Sequence, residues 1–253
     1  MKKMIVFVLA GLSVFCLAGC TIHTNVVDNT NVEDQEAYQS GSTEISDKVT
    51  ALDIDWASGQ VEVVTSGDQT VSLKEECDKD LSEDKQMHWY LDGTTLRVTA
   101  TKPGTTVSEL PSKKLVLSIP ETVDLTKCSF DVAATDLTVN LNKVGQLDVD
   151  AASGNANMTV ADLTGAASID TAAGDVTLSA GGKPSQISVD TALGDVTLCL
   201  DEACGFTAEV DSVSGSFKSD LTTTENDGTY VHGDGACRIK VDTASGDVNV
   251  RAR

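Results

Sequence analysis

The sequence predicts an all-β fold, and more narrowly a β-solenoid, a single-stranded β-helix-like stack of repeats of about twenty residues. The first observation is a motif, Asp-Thr-Ala-Xaa-Gly-Asp-Val, that recurs with substitutions through most of the 253 residues. The second is its period, since the reference position recurs in steps of 19, 20, 20 and 21 residues between 135 and 215. The third is a content of aromatic residues of only 4 %, which favours a thin, repetitive core. A fixed period of this length is typical of stacked repeats.

The copies align on a column of glycines, from which positions are counted below. The column consists of Gly59, Gly154, Gly174, Gly194, Gly215 and Gly246, with Thr135 replacing glycine in one copy. Glycine suits a backbone site that needs a positive φ or the close approach of another chain segment. We therefore expect this column to have a structural role.

The strands are predicted from the alternation of apolar and polar residues within each copy. Apolar residues occupy positions −7 and −5, and then −2, +2 and +4, so the inward-facing set changes parity. A parity change needs a bend, which we place between −5 and −2, with the small residue at −2 lining the inner corner. We expect parallel stacking in chain order, with the last copy at the end of the stack; antiparallel hairpins turning at Ser-Gly are the alternative.

An aspartate stands at position −4 in every copy. These residues are Asp55, Asp131, Asp150, Asp170, Asp190, Asp211 and Asp242, and several copies add another aspartate at +1. One explanation is that both columns cap corners by accepting backbone N–H groups, which leaves an acidic stripe on the surface. The other is calcium, but one aspartate per corner offers few ligands and the nine-residue calcium repeat is absent. We predict corner caps, no metal site and no cofactor.

The N-terminus predicts export and membrane anchoring. Two lysines and an apolar run precede Leu17-Ala18-Gly19-Cys20, which resembles a bacterial lipobox. Cleavage between Gly19 and Cys20 would leave Cys20 to carry the lipid; an ordinary secretory signal is the alternative. We predict a signal peptide at 1–19, a lipidated cysteine and flexible tether at 20–47, and a β-strand-repeat domain at 48–253.

Two segments depart from the regular period. The part before residue 121 keeps a β pattern, with a hairpin signal at Asp92-Gly93, and we expect it to cap the stack, with Trp56 and Trp89 covering the core. The segment 222–236 adds about ten residues to one return, and we expect a protruding loop.

Charge and motifs exclude several classes of function. A net charge of −21 argues against nucleic acid as a partner. We find no nucleophile elbow, P-loop or metal-ligand spacing, so we expect no catalytic residues. Five cysteines follow Cys20, and Cys199 and Cys204, which bracket a short return, are the best disulfide candidates.

Residues 49–253 resemble the bacterial β-strand-repeat family DUF4097, whose members are candidate adhesins related to LiaG-like envelope proteins. The resemblance rests on Leu115–Pro120, on the recurring motif, and on Gly233-Asp234-Gly235 before the last copy. Together with the predicted lipid anchor at Cys20, it leads us to expect a non-catalytic lipoprotein on the extracytoplasmic face of the membrane, with a structural or binding role toward an envelope or host-surface polymer. The alternative is an accessory sensor or regulator of an envelope-stress system that acts through a membrane protein; a hydrolase ranks last.

Overall fold

The structure is a computed structural model that describes residues 26–28 and 34–253. It is built almost entirely of β-strands, with short 3-10 turns at Gln35–Ala37 and Glu83–Lys85. The strands are β1 Val26–Asp28, β2 Gln39–Ser40, β3 Thr43–Ile45, β4 Ala51–Ser66, β5 Val71–Glu76, β6 His88–Asp92, β7 Thr95–Thr99, β8 Thr106–Ser108, β9 Lys113–Pro120, β10 Leu125–Ser153, β11 Ala156–Ala173, β12 Val176–Gly182, β13 Gln186–Leu193, β14 Val196–Leu200, β15 Phe206–Ser214, β16 Phe217–Ser219, β17 Thr224–Asn226, β18 Thr229–His232, β19 Cys237–Ser245 and β20 Val248–Ala252. No helix in the described part of the chain is long and apolar enough to cross a membrane.

The repeats stack as parallel rungs of a solenoid, as the sequence predicts. Each rung has a first arm before the glycine and a second arm after it. In the first arms, Ile169 of β11 lies opposite Val189 of β13, and in the second arms Leu178 of β12 lies opposite Leu198 of β14. Because equivalent residues of successive copies face one another in parallel register, the antiparallel-hairpin alternative is wrong for the repeats.

The change of parity lies at the glycine, and not where the sequence placed it. The first arm keeps its two-residue period to position −3, where Val132, Thr171 and Thr191 are buried. The residues at −2 mostly face solvent, so the prediction that they line the inner corner is wrong; Ala133, Ala152, Ala172, Ala192, Val213 and Ala244 are exposed. A positive φ at most of the glycines supplies the irregular backbone geometry that lets the second arm face inward at +2.

The last copy does not end the stack. Its first arm, β19, lies between β13 and β15, and its second arm, β20, lies between β14 and β16. The terminal rung is therefore the earlier copy, 206–219. That copy has Ser212 at −3, Ser219 at +4 and a half-buried Phe217, whereas Val248 and Val250 in the last copy are fully buried. The more apolar copy takes the place with a neighbouring rung on both sides.

The segment 222–236 forms a cap rather than a protruding loop. Its two strands, β17 and β18, make an antiparallel hairpin, and β18 pairs with the first four residues of β15, Phe206 to Glu209. Phe217 and Tyr230 stack with ring centroids 4.2 Å apart. The hairpin therefore covers the first part of the terminal rung, and this capping role also explains why the chain needs the extra residues there.

The N-terminal end is capped more fully. β7 and β9 pair with the two halves of β4, and antiparallel β6 and β5 extend them outward, which confirms the predicted hairpin at Asp92-Gly93. Trp56 is buried in the core, and the partly buried Trp89 packs against this core. β2 and β3 lie within the segment 20–47 that we expected to be a tether, yet both pair with the sheet. The folded domain thus begins before residue 48, while Gly19 and Cys20 lie outside the described residues.

Candidate functional site

The glycine column joins the corners of successive rungs, and its middle members pack directly against the backbone of the rung beside them. A Cβ atom on Gly174 would lie 2.0 Å from the carbonyl oxygen of Gly154, and one on Gly194 would lie 2.1 Å from that of Gly174. The φ angles of Gly154, Gly174 and Gly194 are 115°, 134° and 143°, in the region that side chains disfavour. The column is therefore structural on both steric and conformational grounds.

The residues at +1 form a ladder of hydrogen bonds between rungs. The backbone N–H of Asp195 donates to Asp175 Oδ1 at 2.9 Å, and that of Asp247 donates to Asp195 Oδ1 at 2.8 Å. The ladder continues from Asp247 to the terminal rung, where the N–H of Ser216 donates to Asp247 Oδ1 at 2.8 Å. Asn155 has the same role, since its Oδ1 accepts the N–H of Asp175. These residues cap corners, but they cap the next rung and not their own turn.

The aspartates at −4 have no such role, so the expectation that both columns are corner caps is wrong for this one. They lie in the middle of the first arm and point away from the core. Opposed pairs link most of the column: Asp55 and Asp131, Asp150 and Asp170, Asp170 and Asp190, Asp190 and Asp242, Asp242 and Asp211. Asp131 and Asp150 join the two parts, since they are close enough for the Asp131 carboxylate to raise the pKa of Asp150. Within the described part of the chain, Asp242 is the member with a salt bridge, to Lys240. We call the seven aspartates at −4 the acidic face.

The pKa values of several of these carboxyls are raised. Desolvation by surrounding protein, followed by the Asp131 and Asp53 carboxylates, raises the pKa of Asp55 to about 6, although part of its side chain reaches solvent. Desolvation, and then neighbouring carboxylates, also raises the pKa values of Asp131, Asp150 and Asp170. Both causes penalise the charged form, so the acidic face carries uncompensated negative charge that a cation would stabilise.

Few side chains cover the carboxylates in the middle of the acidic face. Near its N-terminal end, Arg97 bridges Asp53 and Asp92. Farther along, the position two residues before the aspartate is Ser168 or Ser188 in two rungs and Lys240 in the next, where it bridges Asp242 and lies near Asp190. The position two residues after the aspartate is an exposed alanine. Because serine and alanine are short, the carboxylates of the middle rungs stand on a flat sheet surface open to a large partner. No group of three or more His, Cys, Asp or Glu among the described residues is placed to hold a metal ion.

The structure does not pair Cys199 with Cys204. Cys199 lies at an outward, half-buried position of β14, whereas Cys204 is buried after the turn. All five cysteines in the described residues are free thiols, and Cys204 and Cys237 are close enough to shift each other's pKa. A turn separates Cys199 from Cys204, so the two side chains point to different sides of the rung.

Sequence reasoning missed a buried ion pair in the N-terminal cap. The Lys113 side chain is fully buried, and its Nζ donates to Glu75 Oε1 at 2.6 Å, to Lys85 O at 2.7 Å and to Ala100 O. Nζ also lies 5.0 Å from the ring centroid of Trp56. Burial lowers the pKa of Lys113, and the hydrogen bond to Glu75 opposes that shift. The buried position of Lys113 could have been predicted, since it begins the inward-facing alternation of β9. Its contacts hold strands of the cap together, so we assign it a structural role and not a reactive one.

Residues 121–251 match a family model described as Toastrack DUF4097. The match spans more than half of the chain and takes in the regular rungs, the terminal rung and the inserted last rung. The chain belongs to the Toastrack DUF4097 family. The DUF4097 resemblance drawn from the repeats is therefore confirmed, while much of the N-terminal cap lies outside the match.

Several solved structures resemble this Toastrack protein at low sequence identity. A candidate cell adhesion protein from Clostridium sporogenes is 12 % identical, with a TM-score of 0.49 over 85 % of this chain and 100 % of its own. A candidate adhesin from Bacteroides fragilis is 15 % identical, with a TM-score of 0.41 over 85 % and 97 % of the two chains. Another, from Parabacteroides merdae, is 16 % identical, with a TM-score of 0.28 over 85 % and 96 %. No curated protein matches the chain.

Proposed function

We propose that this protein is a non-catalytic, adhesin-like lipoprotein of the cell surface whose acidic face binds positively charged material. Cys20 carries the lipid and holds the chain on the extracytoplasmic side of the membrane, and the residues after it form a short tether. The partner is a cationic polymer of the envelope or of a host surface. The observation that carries the proposal is the continuous column of outward carboxylates on a flat sheet.

Electrostatics favours a cationic partner over other classes. Carboxylates on neighbouring rungs lie about 5 Å apart, which costs roughly 0.8 kcal/mol per pair in water. The +1 aspartates offset their charge with backbone N–H groups, but most of the −4 aspartates have no partner in the described residues. A row of amines or guanidinium groups would relieve the repulsion along the whole column, and the repeat spacing suits an extended polymer.

Several observations favour a binding role over catalysis. The polar groups that the repeat places in columns either join rungs, as at +1, or lie in an open row, as at −4. In the middle rungs the open row is not enclosed by the concave site that usually surrounds reacting groups, although Asp211 and Asp242, at its end, border a cavity. The buried Lys113 ammonium and its partner Glu75 are bound to backbone groups of the cap.

A second function, as an accessory sensor related to LiaG-like envelope proteins, is favoured by the open part of the terminal rung. β18 covers only the first four residues of β15, and β16 has a strand partner on one side within the described residues. Val213 on this rung is 86 % exposed. A membrane protein could add a strand here, whereas a polymer would use the acidic face.

The test is retention of the purified full chain on amine-bearing, neutral and carboxylate-bearing polymer beads. We expect retention on the amine beads that falls as salt is raised, because surface charges are screened. Replacing Asp150, Asp170 and Asp190 together by asparagine should lower it several-fold. The matched control replaces three exposed loop aspartates, Asp68, Asp78 and Asp80, by asparagine and removes the same charge. Equal losses in the two triple variants would show that net charge acts, and not the acidic face.

The same full chain tests the anchor when it is expressed in an exporting bacterium. Cys20→Ser removes the thiol that would take the lipid, so the variant should leave the membrane fraction or remain unprocessed. A processed Cys20→Ser protein that still requires detergent for extraction would contradict the lipid anchor.

A further inference from the structure

We propose that Cys204 and Cys237 form a reversible disulfide that fastens the inserted last rung to the terminal rung and its cap. Cys204 lies in the turn between β14 and β15, and Cys237 is the first residue of β19. The bond would tie the point where the chain enters the terminal rung to the point where it enters the inserted one.

The two cysteines are placed side by side by the backbone. Cys237 lies opposite Phe206 in the parallel pairing of β15 with β19, and its N–H donates to the carbonyl oxygen of Gly205 at 2.9 Å. The N–H of Cys204 donates to Asp201 O at 2.8 Å, which fixes the turn before it. Both side chains are buried, with 3 % and 1 % exposure, and the two thiols are close enough to shift each other's pKa.

Gly205 permits this close approach of two chain segments. A Cβ atom at Gly205 would lie 2.6 Å from the backbone nitrogen of Asp234, in the strand connection that leads to Cys237. The side chain of Asp234 also accepts the N–H of Ala236 at 3.1 Å, which shapes the turn immediately before Cys237. The contact between the thiols therefore depends on a fixed backbone and not on flexible side chains.

His232 gives the pair an activating charge. Its Nδ1 lies 2.8 Å from Thr222 O and its Nε2 lies 3.0 Å from Glu202 O. Carbonyl oxygens only accept hydrogen bonds, so both contacts are satisfied when both ring nitrogens carry protons and the ring is an imidazolium. These bonds raise the pKa of His232. Its ring stacks on Phe206 at 5.4 Å, next to Cys204.

Cys204 is the thiol suited to attack. The contact with Cys237 lowers the pKa of Cys204 and raises that of Cys237. Burial and the Asp201 and Asp234 carboxylates oppose the lowering of the Cys204 pKa, and the charge of His232 adds a small lowering. The thiolate is the nucleophile in thiol–disulfide exchange. The structure thus pairs an attacking thiol with a resolving thiol, whereas Cys77, Cys128 and Cys199 have no such partner among the described residues.

The reaction is an exchange with a small or protein disulfide as the oxidant. The Cys204 thiolate attacks one sulfur of that disulfide, forms a mixed disulfide and releases the other sulfur as a thiolate. Cys237 loses its proton and attacks Cys204 Sγ, which releases the second thiolate of the oxidant. This protein loses two electrons and two protons, and the oxidant is reduced to two thiols.

The bond would close a loop that contains β15, β16 and the β17–β18 hairpin. These elements form the end of the stack, where the terminal rung has the inserted rung on one side and the β18 strand along part of the other. A cross-link across this loop restricts the unfolded chain and keeps the last rung in its inserted place. In cells, the inference rests on the proposed extracytoplasmic location, because disulfides persist in oxidising compartments.

The test begins with purified, reduced full chain in detergent, incubated with oxidised glutathione. Remaining thiols are then blocked with N-ethylmaleimide, and the digest is analysed by mass spectrometry. We expect a peptide linked through Cys204 and Cys237. The melting temperature should rise by about 5–15 °C on oxidation. Absence of this linked peptide, or a Cys199–Cys204 linkage in its place, would overturn the inference.

Cysteine variants test the disulfide itself, and the redox state of the protein in producing cells tests the proposed location. Cys204→Ser should abolish the effect of oxidant on melting, and Cys199→Ser, the matched control, should keep it. Protein blocked with N-ethylmaleimide at lysis of the producing cells should already contain the linkage. A bond that forms with glutathione but is absent in cells supports the thiol pair and contradicts an oxidising extracytoplasmic location.

Discussion

At the scale of single residues, the role of each side chain depends on the rungs above and below it. Asp170 and Asp175 lie five residues apart in one copy, yet the first faces solvent in an open row and the second accepts an N–H from the next rung. Aspartate therefore contributes surface charge at position −4 and a stabilising hydrogen bond between rungs at position +1. The difference follows from the corner between them, where the backbone N–H groups point along the stack.

The raised pKa of Asp55 gives a prediction about pH. A carboxyl with a raised pKa stabilises the fold below its unfolded value, near 3.8, and loses this contribution as the pH rises through about 6. Replacing Asp55 by asparagine removes the charged form, so at pH 7.5 the variant should be more stable by about 1 kcal/mol, after discounting for its exposed part. Melting curves at pH 7.5 and 4.5 should show this advantage shrinking at the lower pH.

The control for this prediction is Asp68→Asn, a change in an exposed turn. Its effect on melting should be small, because substitutions at exposed sites away from specific contacts usually change stability little. An advantage of Asp55→Asn that is the same at both pH values would contradict the assigned burial of its carboxyl.

At the scale of elements, the +1 ladder predicts which replacements a rung tolerates. Asp175→Ala leaves the N–H of Asp195 without its acceptor and should lower stability by about 1 kcal/mol. Asp175→Asn should be nearly neutral, because Asn155 already makes this contact in the adjacent rung with an amide oxygen. Thermal melting of the two variants beside the parent chain is the measurement. A loss that is as large for asparagine as for alanine would show that the carboxylate charge matters and not the hydrogen bond.

The sequence predicts the strands well and the corner poorly, for a physical reason. Alternation fixes which residues of one arm share a face, so the inward positions of both arms could be assigned. Alanine is small enough to be tolerated either inside or outside, so the alanine column at −2 could not locate the bend. The buried threonines at −3, Thr171, Thr191 and Thr243, were the better marker, but their polarity obscured it.

The candidate site was predicted in part. The acidic column at −4 and the structural glycines follow from the aligned copies alone. The different roles of the aspartates at −4 and at +1 cannot be predicted from the aligned copies, because these roles depend on which backbone N–H groups point along the stack. The contact of Cys204 with Cys237 also needs the three-dimensional order of the rungs, since 32 residues separate them in the sequence.

At the scale of the whole molecule, the protein is a stack whose two ends differ. The N-terminal end is covered by antiparallel strands on both arms, while the C-terminal hairpin covers part of one arm. The order of rungs could not be predicted from the period, because every copy presents nearly the same edge to every other copy. The polar residues Ser212 and Ser219, at positions that are inward-facing in the other copies, were the sequence signal that the copy 206–219 buries less apolar surface and lies at the end of the stack.

The continuous acidic face exists only if the rungs stack as the structure shows, with Asp190 beside Asp242 and Asp242 beside Asp211. The most direct measurement is cross-linking of cysteine pairs at these positions with a short bifunctional thiol reagent, followed by identification of linked peptides. Asp190→Cys with Asp242→Cys should cross-link as readily as the adjacent pair Asp150→Cys with Asp170→Cys. Asp190→Cys with Asp211→Cys, two rungs apart, should not. Efficient linkage of 190 to 211 and none of 190 to 242 would mean that the copies stack in chain order, and would contradict the account.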